Sequence, residues 1–345
     1  INREIKQIRI DEDALKKELR TYMYQHFYDD KKYRYSKQYI FDYNKKMDEK
    51  DFGNQTAHIG INVISPLSDH YDASELNVRL LSAGNGDLVI KLGGDSSYIE
   101  EMEEALRIDE YTKRKNINQL PENIQNIINS KKAEERVRRN RAKEAMEDAL
   151  KNATFYINGE QIDVKGSSVK EKINNALKVL VESVYTKLSY IKEFLNKPED
   201  LLTLLSDGNE QITLDDSINY GNELAIKEVF EFISLQDSMN KQIRVKTLHD
   251  RFSDKPYGWN HIDISGIIAT LLKEQKIKLR LNGETLEPNS SGIVTALTKS
   301  SEVDRVIVTK RVKVDGALIR TAKNICRELW NKSDIADDED GLAKD

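Results

Sequence analysis

Two periods run through the hydrophobic positions of this chain, and the elements follow from which one holds where. Leu15, Leu19, Met23 and Phe27 recur at helical spacing, which predicts a helix over residues 11–28. Directly after it, Tyr33, Tyr35, Tyr39, Phe41 and Tyr43 occupy odd positions, the period of an extended strand showing one face. Lys31, Lys32, Arg34, Lys37, Lys45 and Lys46 are interleaved with them. Cations among aromatics can stack the bases of a single strand. The packing alternative, a face covering a helix, suits Tyr and Phe better, because both favour strands. Ile59, Ile61 and Val63 alternate, and so do Leu76, Val78 and Leu80. The second set continues through Ala83-Gly84-Asn85-Gly86 into Leu88, Ile90 and Leu92, which predicts a hairpin. Gly93-Gly94-Asp95-Ser96-Ser97 lacks the Gly-Lys-Ser/Thr of a phosphate loop, and Ser97 with Glu100 predicts a capping box for a helix over 98–111. Residues 1–120 are therefore expected to form an α+β domain with an antiparallel sheet.

Residues 121–152 carry no Gly or Pro after Pro121, and predict one helix of roughly 45 Å. Apart from Ala133 and Val137, its apolar residues gather at the ends: Ile124, Ile127 and Ile128, then Ala142, Ala145, Met146 and Ala149. Between them the same face carries Lys131, Glu135 and Arg138. That pattern predicts a connecting helix between two bodies. Lys132, Arg136, Arg139 and Lys143 share one side of it. This basic stripe is either a phosphate contact or a solvated face paired with Glu134 and Glu135.

Beyond the long helix, residues 153–216 predict a hairpin turning at Asn158-Gly159 and a long amphipathic helix capped by Ser168 and Glu171. Residues 217–288 then give three helices, marked by Ala225 to Ile233, Val245 to Phe252 and Ile264 to Leu272. A hairpin through Asn282-Gly283 follows, and this order predicts a winged helix. Lys276, Lys278 and Arg280 alternate with the inward Ile277, Leu279 and Leu281, so the wing offers three cations to a phosphate backbone. The third helix offers Ser265, Ala269, Thr270, Lys273 and Glu274 outward, few of them able to read base edges. Residues 289–345 predict a small α/β segment with a strand over 305–312 and a helix over 316–330. The fold class is thus α+β: a sheet domain, a long helix and a mostly helical part with a winged-helix module.

Composition narrows the function classes. The 345 residues are 33% charged and 38% hydrophobic with net charge −5, which fits a surface-rich protein with local basic patches and no overall nucleic-acid field. Cys326 is the only cysteine, so an intrachain disulfide is impossible and a reducing, cytoplasmic setting fits. No run reaches the ~20 apolar residues of a membrane helix. The chain begins at Ile1 and ends beyond the acidic cluster Asp337, Asp338, Glu339 and Asp340, which reads as a piece of a longer protein. His26, His58, His70, His249 and His261 have no metal-ligand spacing, and His26 is expected in the core. Asp163-Val164-Lys165 has the acid-x-lysine form of metal-dependent nucleases but no companion acid, and Leu214-Asp215-Asp216 reads as a turn and helix cap. No catalytic, cofactor-binding or metal-ligating residue is assigned.

Phe252-Ser253-Asp254-Lys255-Pro256-Tyr257-Gly258-Trp259, with the helix and the Lys276-Ile277 wing that follow, resembles the Pro-Tyr-Gly-Trp region of the large P-loop ATPases of bacterial BREX phage-defence systems, the BrxC/PglY type. Lys32-Tyr33-Arg34-Tyr35, Phe52-Gly53-Asn54-Gln55, Phe155-Tyr156-Ile157-Asn158-Gly159 and the tail Asp338-Glu339-Asp340-Gly341-Leu342 are similar to the same family. The resemblance covers nearly the whole chain and implies an interior piece that follows the ATPase module. ATP and magnesium would then belong to the parent protein, other BREX proteins would be the partners, and homo-oligomerisation stays open. Two uses of the piece follow: a scaffold that couples nucleotide state to partner engagement, or a nonspecific DNA-binding module.

Overall fold

Tyrosines and small hydrophobics build the first of two units, residues 1–188 with 255–257; the second holds the rest of the chain. The computed structural model describes residues 1–206, 221–311 and 316–330. Unit 1 runs α1 (Asn2–Gln7), α2 (Glu12–Tyr22) with a π-helical turn over Met23–Phe27, β1 (Tyr33–Arg34), β2 (Ile40–Phe41), β3 (Asn44–Met47), β4 (Lys50–Asp51), β5 (Gly60–Ile64), α3 (Glu75–Ser82) and β6 (Asp87–Lys91). It continues with α4 (Ser97–Lys113), α5 (Glu122–Lys151), β7 (Thr154–Ile157), β8 (Glu160–Ile162) and α6 (Val169–Val184).

Six of these strands form one sheet in the order β4-β3-β5-β6-β7-β8. The sheet is mixed and not antiparallel throughout, since β3 pairs β5 and β5 pairs β6 in parallel. The reason is α3. Residues 76–80 are helical, not a strand, so β5 reaches β6 by a crossover rather than a hairpin. Ser74 starts the helix by accepting from the Asn77 amide. Val78 and Leu81, three apart, pack on Ile64, Val89 and Tyr156, while Leu76 and Leu80 are exposed. Helix α4 also starts differently from expectation: Asp95 accepts from the Ser97 amide at 3.0 Å, and Ser96 makes no side-chain cap.

The odd-numbered aromatics do cover a helix, though in two-residue strands and not one long one. Tyr28 and Tyr33 donate to Asn174 of α6 at 2.6 and 3.0 Å, and Tyr35 donates to Glu182 at 3.0 Å. His26 is exposed, edge-on to Tyr22 at 4.8 Å, rather than in the core.

The long helix forms as one piece, but it is no connector between bodies. Both ends lie in unit 1 and it packs along α4. Ile128 sits among Ile5, Ile108 and Tyr111, while Ala142, Met146, Ala149 and Leu150 are buried at the other end. Its charged middle is matched across the interface: Arg138 bonds Glu101 of α4 at 3.0 Å, and Arg139 bonds Glu18 of α2. Partner carboxylates, not solvent, satisfy Arg138 and Arg139.

Gly86 is fixed by geometry. It has φ +71°, and a Cβ there would lie 2.2 Å from the His58 carbonyl. Gly86→Ala should destabilise unit 1 by about 2 kcal/mol or more, read as a lower urea midpoint; an unchanged midpoint would contradict the placement.

Unit 2 contains α7 (Asp200–Ser206), α8 (Glu223–Ser238), β9 (Ile243–Arg244), α9 (Val245–Ser253), α10 (His261–Lys273), β10 (Ile277–Leu281), β11 (Glu284–Leu286), α11 (Ile293–Thr298), α12 (Ser300–Val303), β12 (Ile307–Lys310) and α13 (Gly316–Trp330). Its sheet has the order β11-β10-β12-β9. Strand β12, expected in a separate C-terminal segment, is therefore one of the two central strands of the winged-helix sheet. The module extends past residue 288 because Val308 pairs with Leu279 on one side and Ile243 on the other.

Candidate functional site

The wing is built as its alternation predicts. Asn282 and Gly283 turn at φ +53° and +88°, the two left-handed residues of a tight hairpin, and Leu281 pairs Glu284. Ile277 and Leu279 are buried. Arg280 is exposed, whereas Lys276 is paired with Glu274 at 2.8 Å. Lys278 is half-buried on the same strand.

Helix α10 departs from expectation. Every residue from Asp263 to Leu272 is buried, including Ser265, Ala269 and Thr270, which the pattern placed outward. Helices α8, α9 and α11 pack on it, with Ser265 held between His249 and the Leu297 carbonyl, and α7 with the segment leading to it adds a further cover. Leu201 and Leu205 of α7 are buried, and Lys273 donates to the Leu204 carbonyl at 2.8 Å. Ahead of α7, the Leu195 amide donates to Asp263 at 2.9 Å. Buried Asn222 clasps the same segment, accepting from the amides of Lys192 and Glu193 at 2.7 and 3.0 Å and donating to the Glu193 carbonyl at 2.8 Å. Three side chains thus bind an arm across α10. The signal in the sequence is faint: an all-round apolar helix, Ile-Ile-Ala-Thr-Leu-Leu, is one that something covers.

Two titratable groups are buried in unit 2, Asp263 under this arm and His249 against α10. Burial pushes the Asp263 carboxyl up to about 6, against the hydrogen bonds from Leu195 and Asn260. Burial, then the neighbouring His261, pushes His249 down to about 4; the two imidazoles stack at 4.8 Å. Ser265 Oγ has the carbonyls of Leu297 and His261 at 2.7 and 2.9 Å, and these only accept. Its single proton goes to them, so His249 Nε2, 3.0 Å away, is the donor to the hydroxyl. This Ser–His contact is structural, since the serine has no exposed surface.

On α5 the basic stripe divides. Arg139 is engaged, bonded to Glu135 at 2.7 Å and to Glu18. Burial works against its charge, but the bonds that it donates to Glu135, Tyr22 and Glu18 outweigh this and hold the guanidinium above its ordinary range. Lys132, Arg136 and Lys143 make no ion pair among the described residues; Arg136 and Lys143 are exposed and Lys132 is half-buried.

The remaining candidates do not converge. Asp163 follows β8 and is exposed, beside a cleft of about 420 Å³ that Lys172 also lines. Among the described residues no three His, Cys, Asp or Glu side chains gather as metal ligands, and no helix is long and apolar enough to cross a membrane. Leu214-Asp215-Asp216 and the acidic tail lie outside the described residues. Cys326 is half-buried on α13.

Two family models match the chain. Residues 8–180 match the BREX ATP-binding protein BrxC 4th domain with six-stranded beta sheet, and six is the number of strands in the larger sheet of unit 1. Residues 187–312 match the BREX ATP-binding protein BrxC winged helix-turn-helix domain, a span that includes both the arm and β12. No solved structure matches the chain.

Proposed function

Because the chain belongs to the BrxC family of BREX ATP-binding proteins, we propose that it is a non-catalytic docking segment of a cytoplasmic phage-defence ATPase, through which nucleotide state reaches other BREX proteins. ATP and magnesium are handled elsewhere in the parent protein. What supports this reading is the burial of α10 under α7. A helix–turn–helix that reads a duplex must put the first turns of this helix into the major groove. From Asp263 to Leu272 none of its side chains is open to a base edge, and only His261 at its start is exposed. The outer surface of the module then serves protein partners.

The test uses the full-length protein and measures ATP turnover and association side by side. Lys276→Glu with Arg280→Glu should leave ATP turnover within about twofold and weaken co-elution with the other BREX proteins about tenfold, as reversing rim charges does. Lost turnover with co-elution intact would overturn it.

A second reading rests on one observation, the three unengaged cations of α5. It makes unit 1 a nonspecific contact for DNA phosphates, without Arg139. Lys132→Glu, Arg136→Glu and Lys143→Glu together should flatten the dependence of log affinity on log salt by about 2.7 for duplex DNA. An unchanged salt slope, or no binding by the parent chain at low salt, removes this reading.

A further inference from the structure

The sheet of unit 2 has an unfinished edge. Strand β9 pairs β12 only at Ile307 and Val308, although β12 runs to Lys310. The cause lies in the exit of α8. Asn240 takes φ +54°, and the amides of Asn240 and Lys241 turn back to the carbonyls of Asp237 and Gln236 at 2.9 Å each. That is a Schellman ending, which a left-handed Asn favours. It holds Lys241 on the helix end, so the chain reaches the sheet only at Ile243.

The register shows what is left open. Arg311 donates to the Lys276 carbonyl, so residues 307, 309 and 311 point their main-chain groups at β10. Val245 donates to the Val306 carbonyl, so 306, 308 and 310 point the other way. Val308 meets Ile243 there. The residue that would meet Lys310 is Lys241, whose amide is already committed to Gln236. Lys310 N–H and C=O therefore face outward with no partner among the described residues. They face a cleft of about 240 Å³ floored by Ile233, Ile243 and Val308. Its lip carries Lys241, Lys310 and Asp237, a net positive charge, and Lys241 is exposed with no ion pair among the described residues.

We propose that this notch takes an extended segment of another polypeptide, whose main chain continues the sheet at Lys310 and whose acidic side chain meets Lys241. An open pair of main-chain groups beside an apolar floor is the arrangement that strand addition uses. An edge left bare would otherwise be an aggregation liability. The proposal rests on the docking reading above and names where the partner chain lies.

Amide exchange on the full-length protein tests it, with the other purified BREX proteins as the probe. Residue 310 should exchange fast in the protein alone and at least about tenfold more slowly with the partners present. Gln242→Trp, an exposed change that fills the cleft from its side, should abolish that slowing. Lys310→Pro should weaken co-elution about tenfold while the fold survives, because its lost N–H points away from β10. Three results overturn the proposal: protection already present in the protein alone, protection that grows with its own concentration, and co-elution with no change at residue 310. The last would leave the docking reading standing, whereas no co-elution at all fails both.

Discussion

Trp259→Ala should lower the stability of unit 2 by about 3–5 kcal/mol, the largest loss expected from a single side chain in that unit. Trp259 is 1% exposed, and its ring stacks on Phe252 at 5.2 Å with 6° between planes. Phe252 in turn meets Phe232 of α8 edge-on at 5.8 Å, so one ring column ties α8 and α9 to the entry of α10. The backbone repeats the tie: the Trp259 amide donates to the Phe252 carbonyl at 3.0 Å, and the Gly258 amide donates to the Asp254 carbonyl at 3.0 Å. Gly258 sits at φ +69°, where glycine turns without a steric cost. Removing the indole leaves a cavity among three helices that cannot close without moving them. Urea unfolding followed by circular dichroism measures the loss. Trp259→Phe keeps most of the column and should cost less than half as much. A loss below about 1 kcal/mol for the alanine variant would mean that the column does not hold the module together.

How much of this was legible in the sequence depended on the range of the interactions. Asn158-Gly159 and Asn282-Gly283 set their hairpins locally, and both pairs adopt the left-handed φ values that such turns need. The apolar faces of α6, α8, α9 and α10 announced themselves by period for the same local reason. Residues 75–82 misled because Leu76 and Leu80 alternate with Val78, whereas the packing partner of Val78 is Leu81. The charged middle of α5 misled for a different reason. A row of Lys, Glu and Arg has one pattern whether it faces water or opposing carboxylates, and Glu18 and Glu101 come from helices far away in the chain. The wing cations could be placed from alternation, because a strand shows its faces by parity. The covering of α10 could not. Asp263 and the Leu195 amide that it holds are 68 positions apart, and nothing in either neighbourhood names the other.

That same clasp makes the acid response of unit 2 a test of its design. His249 is neutral in the folded chain down to about pH 4, against an ordinary 6.5, because burial and His261 oppose its charge. As pH falls below 6.5 the unfolded chain takes up the proton and the folded chain does not. Stability is therefore lost across 6.5 to 4, by about 3 kcal/mol. Asp263 acts the other way. Its folded carboxyl holds a proton up to about pH 6, against an ordinary 3.8, so folding gains stability as pH falls through that window, again by about 3 kcal/mol. Between pH 6 and 4 the two nearly cancel. Asp263→Asn keeps an oxygen to accept from the Leu195 amide but removes the titration, leaving His249 unopposed. Urea unfolding of variant and parent at pH 7, 6, 5 and 4 isolates the difference, since every other group titrates in both. The variant should lose about 3 kcal/mol more than the parent between pH 7 and 4, most of it below pH 6. Parallel profiles would mean that Asp263 is ionised inside the fold at ordinary acidity, and that the arm across α10 is wet where the structure has it dry.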